Sequence, residues 1–148
     1  MLNYQIAGNK NKIPLVLVHA WPLSSRMWDD QLKAFGDKAL VITPDIPGLG
    51  KSLRQPTPSI PAMAQDVAAL LDHLQIKEPV VIGGISMGGY VAFEFFRQFP
   101  DRVRGICFFA ARANADTPEI LEKRSKTIQF LKAHALEEFF PKVIPNLL

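Results

Sequence analysis

The sequence predicts an α/β protein built on a doubly wound, mostly parallel sheet, and three observations lead there. Four short runs rich in β-branched residues recur: Ile13 to Val18, Ala39 to Thr43, Pro79 to Ile82 and Val103 to Phe109. Each is nearly continuous in apolar character rather than alternating, the pattern of strands buried on both faces of a parallel sheet. Helical patterns stand between the runs, and strands alternating with helices make β-α-β units. At 148 residues, 48% hydrophobic and 21% charged, the chain has a one-domain length and an ordinary globular composition.

Taken in order, Leu2 to Ile6 alternates weakly and reads as an edge strand. Arg26 to Phe35 reads as a helix. Pro61 to Leu74 is a stronger one, because Met63, Val67, Leu70, Leu71 and Leu74 fall on one stripe at helical spacing. Pro61 suits a first helical turn and Ser59 a cap. Met87 to Gln98 follows the third strong strand and ends before Phe99-Pro100. From Arg112 onward the pattern changes to two helices, Pro118 to Ala133 and Leu136 to Leu148, with no further strand. Residues 1–111 are therefore expected to form an α/β core and residues 112–148 a separate helical segment.

Several function classes are disfavoured at this level. The net charge is only +3, and the seventeen Lys and Arg are scattered apart from Lys123, Arg124 and Lys126. That cluster reads as a solvated helix face, so no nucleic-acid partner is expected. The single cysteine, Cys107, sits in an apolar run and reads as a buried core residue in a reducing compartment. Met1 to Gln5 does not resemble a signal peptide, and the apolar runs are too short to cross a bilayer. A soluble cytoplasmic protein with no membrane partner is the expectation.

The strongest chemical signal is Gly84-Ile85-Ser86-Met87-Gly88, directly between a strand and a helix. A serine hydroxyl is a weak nucleophile at neutral pH and must stand clear of the sheet, open to substrate and base. A very tight strand-to-helix turn achieves this, at the expense of backbone strain at the serine and crowding two residues to either side. Gly84 and Gly88 meet that demand. The helix start also places N–H groups and the positive end of a helix dipole beside Ser86, with Met87 N–H as the expected oxyanion donor. Against this stands the plainer reading of a glycine-rich turn with an idle serine, which the flanking strand and helix count against.

Three further stretches carry a family resemblance. His19-Ala20-Trp21-Pro22, after the strand Ile13 to Val18, resembles the His-Gly-x-Pro oxyanion loop of the α/β-hydrolase family, with Ala20 in place of the usual glycine. The match implies Trp21 N–H as the second oxyanion donor, and Trp28 matches a frequent packing position. Asp45-Ile46-Pro47-Gly48-Leu49-Gly50-Lys51-Ser52 is similar to the family's Asp-x-x-Gly-x-Gly-x-Ser turn. Gly83 to Tyr90, through Phe99-Pro100-Asp101-Arg102-Val103, is similar to the elbow, helix and next strand of the esterase and enol-lactonase branch. The resemblance runs from about Leu2 to about Val143 and implies that residues 112–148 begin a helical cap.

The Gly48 to Ser52 stretch also ends like a phosphate-binding P-loop, but the chemistry opposes that reading. Asp45 stands where the first glycine belongs and would repel phosphate, and Pro47 removes an N–H that should cradle it. No G-x-G-x-x-G follows a strand, so no dinucleotide site is expected either. The expected chemistry calls for no cofactor and no metal.

A serine nucleophile needs a base, and the base an acid to orient it. In the family these follow the serine in the order acid, then histidine. His19 belongs to the oxyanion loop and reads as structural, while His73 shares the polar side of its helix with Asp66 and Asp72. His134 lies between two helices, and Asp116 falls several residues past the strand Val103 to Phe109. None is assigned a catalytic role. The resemblance instead implies a fold truncated within the cap, with Val103 to Phe109 left as an open sheet edge.

Two functions follow. One is a serine hydrolase of carboxylic esters, lactones or related acyl compounds, with Ser86 as nucleophile. The other is a non-catalytic half-domain that acts by associating with another chain, a C-terminal fragment or a second copy, through that edge. Haloperoxidase-like and lyase-like chemistries use the same scaffold, and an oxyanion hole favours acyl transfer over them.

Overall fold

The computed structural model describes residues 1–143 and divides them into two compact units, residues 1–113 and a second beginning at Asn114. In the first unit five strands form one sheet in the order β1-β3-β2-β4-β5. These are β1 (Tyr4–Ala7), β2 (Pro14–Val18), β3 (Leu40–Pro44), β4 (Val80–Ile85) and β5 (Val103–Phe109). β1 runs antiparallel to β3, and every other pairing is parallel. The mostly parallel, doubly wound expectation therefore holds, with one antiparallel strand at the edge.

Side chains alternate across a sheet, and the alternation here divides the core in two. Val16, Val18, Ile42, Val80 and Ile82 point to one face, where α2 (Ile60–His73) and α3 (Met87–Gln98) cover them with Val67, Leu70, Leu71, Val91 and Phe95. Leu17 and Val41 point to the other, beneath Trp28 and Leu32. Helices on both faces explain why the strands read as unbroken apolar runs.

α2 starts as its sequence suggests: Ser59 Oγ accepts from Ala62 N at 3.3 Å and Pro61 lies in the first turn. Its bounds lie one residue ahead of those expected. α3 matches its expected bounds.

Beyond shifts of one or two residues at the ends of β1, β2, β3 and α2, three expectations differ from the structure. The helix expected over Arg26 to Phe35 is a 3₁₀ turn, Ser25–Trp28, followed by α1 (Asp29–Phe35). A three-residue repeat stacks Ser25 and Trp28 on one side, and both are buried, which a 3.6-residue repeat does less well. β4 continues past Ile82 to Ile85 through two glycines. Gly83 is squeezed there, since an added Cβ would lie 3.2 Å from Leu17 Cδ2 and 3.3 Å from Cys107 Cβ. Cys107 itself is half-buried rather than a core residue. Among the described residues β5 has a strand on one side only, and Phe108 and Phe109 near its end are about two-fifths exposed (40% and 41%).

The second unit contains α4 (Pro118–Ala133) and α5 (Leu136–Val143), with the rings of Phe130 and Phe139 6.3 Å apart. α4 has the expected bounds, and the part of the second expected helix beyond residue 143 lies outside the described residues. No described helix is long and apolar enough to cross a membrane.

Candidate active site

Ser86 is the single residue between β4 and α3, and its backbone sits at φ 52°, ψ −113°. That combination lies off the ordinary left-handed well and is hostile to any side chain with a Cβ. The conformation is held from both sides: Ser86 N donates to Phe109 O at 3.1 Å, and Gly89 N donates to Ser86 O at 3.0 Å. The side chain is exposed and makes no capping bond to α3. The hydroxyl is thus presented outward at the carboxyl end of the sheet rather than spent on the helix.

The glycines around it are required by close approach. A Cβ on Gly84 would collide with the carbonyl of Gly88 and lie 2.6 Å from Gly89 N. A Cβ on Gly88 would strike Val18 O and stand 2.7 Å from Val18 C and 2.9 Å from His19 O. These near-contacts bring the end of β2 against the first turn of α3, consistent with the Val18–Gly84 register. The loop carrying Trp21 therefore leaves the sheet beside the elbow, from the adjacent strand. Trp21 is 39% exposed, and the Trp21-Pro22 peptide is cis.

His19 is fully buried with both ring nitrogens engaged. Ile46 N donates to Nε2 at 3.0 Å, and Nδ1 lies 2.9 Å from Ala20 O. A backbone N–H can only donate, so Nε2 is bare and Nδ1 carries the proton given to Ala20 O. Burial pushes the imidazole below its ordinary value, more than the bond to Ala20 and the nearby Asp45 charge raise it. His19 is therefore held neutral.

Asp45 is the second buried joint. Its carboxylate accepts from Ser25 N at 2.7 Å, Lys51 N at 2.9 Å and Asn3 Nδ2 at 2.7 Å. Burial, the largest single influence, pushes its pKa up, but the hydrogen bonds from Lys51, Ser25 and Asn3 together hold it below the usual carboxylate value. Gly50, at φ 56°, passes so close that a Cβ there would overlap the carboxylate. Ser52 Oγ closes the turn by donating to Asp45 O at 2.7 Å. The stretch that resembles a P-loop thus wraps around a carboxylate of its own.

Trp28 is buried, and its ring lies 5.8 Å from that of Phe109, the residue whose carbonyl holds Ser86 N. Its packing assignment fits this place.

His73 does not join the elbow. His73 is exposed at the end of α2, which leads into the start of β4, whereas Ser86 follows its far end, about 20 Å along a six-residue strand. In the second unit, His134 Nδ1 lies 2.9 Å from Phe130 O and its ring stacks on Phe130. Asp116 is paired with Arg124 at 2.6 Å. Sequence reasoning located the elbow and the loop but missed the bridging of His19 to Ile46 and the wrapping of Asp45. The signals were present in His19-Ala20-Trp21-Pro22 and Asp45 to Ser52, but the partners lie 27 and 20 residues away along the chain.

Comparison with known proteins identifies the family. The family model described as alpha/beta hydrolase fold matches residues 13–147, and the chain belongs to that family. It is 31% identical over 129 residues to 3-oxoadipate enol-lactonase 2 of Acinetobacter baylyi, covering 86% of this chain and 48% of that protein. Non-heme chloroperoxidase of Streptomyces lividans is 32% identical over 145 residues, covering 97% of this chain and 51% of that one. A thermophilic esterase from Thermogutta terrifontis superimposes with a TM-score of 0.88 at 36% identity, over 97% of this chain and 53% of the esterase. The chain spans about half the length of these relatives.

Proposed function

We propose that this chain is the nucleophile-bearing part of a serine hydrolase acting on a carboxylic ester, lactone or related acyl substrate. Ser86 Oγ attacks the substrate carbonyl, and the N–H groups of Met87 and Trp21 hold the oxyanion of the tetrahedral intermediate. The single observation that carries this reading is the strained, exposed serine between β4 and α3, since strain of that kind persists where function requires it. The esterase and enol-lactonase likenesses support acyl chemistry. The base and its orienting acid come from polypeptide beyond the described residues, in line with the engaged nitrogens of His19 and the remote His73. A partner chain, a C-terminal fragment or a second copy, would meet this one at β5, and residues 112–148 would begin a helical cap.

The test is a fluorophosphonate probe, which reacts with activated serines. Adduct on Ser86, located by peptide mass and lost in Ser86→Ala, is the expected result, formed slowly because the base that activates the serine lies outside the described residues. Turnover by the chain alone is expected to be very weak, because losing triad members typically lowers kcat by about 10⁴ to 10⁶. A folded protein that never reacts at Ser86 overturns the proposal.

A further inference from the structure

The hydrogen bonds of His19 bear on the proposed oxyanion hole itself. A peptide unit is planar, with its C=O and N–H pointing in opposite directions across the C–N bond. The oxygen of Ala20 and the N–H of Trp21 belong to one such unit, so whatever fixes the first aims the second. Two donors converge on Ala20 O: His19 Nδ1 at 2.9 Å and Leu23 N at 2.9 Å. The Leu23 bond is part of the local turn and comes with the loop. The His19 bond depends on a tautomer set from elsewhere, by Ile46 N donating to Nε2 from the segment after β3. That same segment is anchored by Asp45, the charged group that faces His19.

We infer that His19 is a positioning residue: its Nδ1–H bond to Ala20 O, enforced by the Ile46 amide, orients and polarises the Ala20-Trp21 peptide so that Trp21 N–H is ready for an oxyanion. As a statement about an oxyanion donor, this rests on the acyl-transfer reading above; as a statement about the peptide, it stands by itself. The chain thus couples its β3 turn to its proposed oxyanion donor through one neutral ring. Hydrogen bonds that act on preorganised donors matter more for rate than for stability, since the donors must not reorient as charge develops.

Two substitutions separate this from a purely structural role. In His19→Asn the amide nitrogen, like Nδ1, hangs from Cγ, so it retains the donor to Ala20 O and gives up the Ile46 bond. His19→Gln places its carbonyl near the Nε2 position, keeping the Ile46 bond and giving up the one to Ala20. Each variant loses one buried hydrogen bond, so both are expected to lose comparable stability. Their labelling rates at Ser86 should differ: His19→Asn within about threefold of the parent, and His19→Gln slowed about tenfold or more, where removal of a whole oxyanion donor costs roughly 10² to 10³. Equal slowing of the two variants, or no slowing of a folded His19→Gln, overturns the inference.

A second readout requires no reaction. In the ¹⁵N spectrum of the full chain, His19 should show a protonated Nδ1 and a bare Nε2, and the Trp21 amide signal should move in His19→Gln but stay near its parent position in His19→Asn. If the parent fails to label while the Trp21 amide behaves in this way, the nucleophile reading falls and the positioning role stands. A protonated Nε2, or a Trp21 amide indifferent to both variants, removes the positioning role whatever the labelling shows.

Discussion

Replacing Ser86 by glycine isolates the strain of the turn from the chemistry of the hydroxyl. At φ 52°, ψ −113° the serine backbone is in a region that glycine alone occupies at ease. Holding a non-glycine residue in such a conformation costs about 1–3 kcal/mol. Glycine gives part of that back, because its unfolded chain is freer by about 0.4–1 kcal/mol. The side chain is exposed and makes no cap bond, so no packing or hydrogen bond is lost with it. Ser86→Gly should therefore be more stable than Ser86→Ala by about 0.5–2 kcal/mol, since alanine keeps the Cβ and hence the strain. For a chain of this length that amounts to a rise of roughly 2–6 °C in Tm. Differential scanning calorimetry of the two variants side by side reads the difference, and neither should accept the fluorophosphonate. A Ser86→Gly protein no more stable than Ser86→Ala would mean that the turn stores no strain, and the main support for a functional serine would be gone.

Gly88→Ala should be damaging for the opposite reason. Its new Cβ would meet the carbonyls of Val18 and His19, backbone atoms of β2 and the loop after it, so either α3 or the loop must shift. A loss of more than about 3 kcal/mol is expected from urea denaturation, in the range of severe core overpacking. A near-neutral Gly88→Ala would show that β2 and α3 are not in the close register described.

Stability should also fall as the solution is acidified, in two stages. Burial, the largest influence, lowers the His19 pKa below 6.5, so the unfolded chain takes up the proton first. The stability contributed by neutral His19 is present above 6.5 and is lost as pH falls from there through the folded value. Burial raises the Asp45 pKa, but the hydrogen bonds from Lys51, Ser25 and Asn3 together lower it below 3.8, so its contribution is present above 3.8 and lost as pH falls from there through the folded value. Urea midpoints followed from neutral pH downward should show the upper stage in the parent and not in His19→Gln. A parent whose stability is flat across the upper stage would refute a neutral, buried His19.

The parallel strands, α2, α3 and the elbow were legible in the sequence because each depends on local chemistry. Strands buried on both faces are apolar at every position, a helix with one buried face repeats at its own period, and a turn tight enough to expose a serine must be lined with glycine. The four ordered landmarks from His19 to Val103 carried the family as well. Boundaries set by neighbours were not legible: β4 extends through Gly83 and Gly84 because β2 and β5 are there to pair with it.

What only the tertiary structure decided is how the pieces of the site hold one another. Nothing in His19 announces that Ile46, 27 residues on, will choose its tautomer, nor in Asp45 that Ser25 and Asn3 will close around it. The half-buried state of Cys107 likewise follows from the place of β5 in the sheet rather than from the apolar run that contains it. Periodicity and turn chemistry act over a few residues and are written in order along the chain. Hydrogen bonds between distant loops and the burial of an edge strand depend on which segments fold side by side, and that is a property of the assembled sheet.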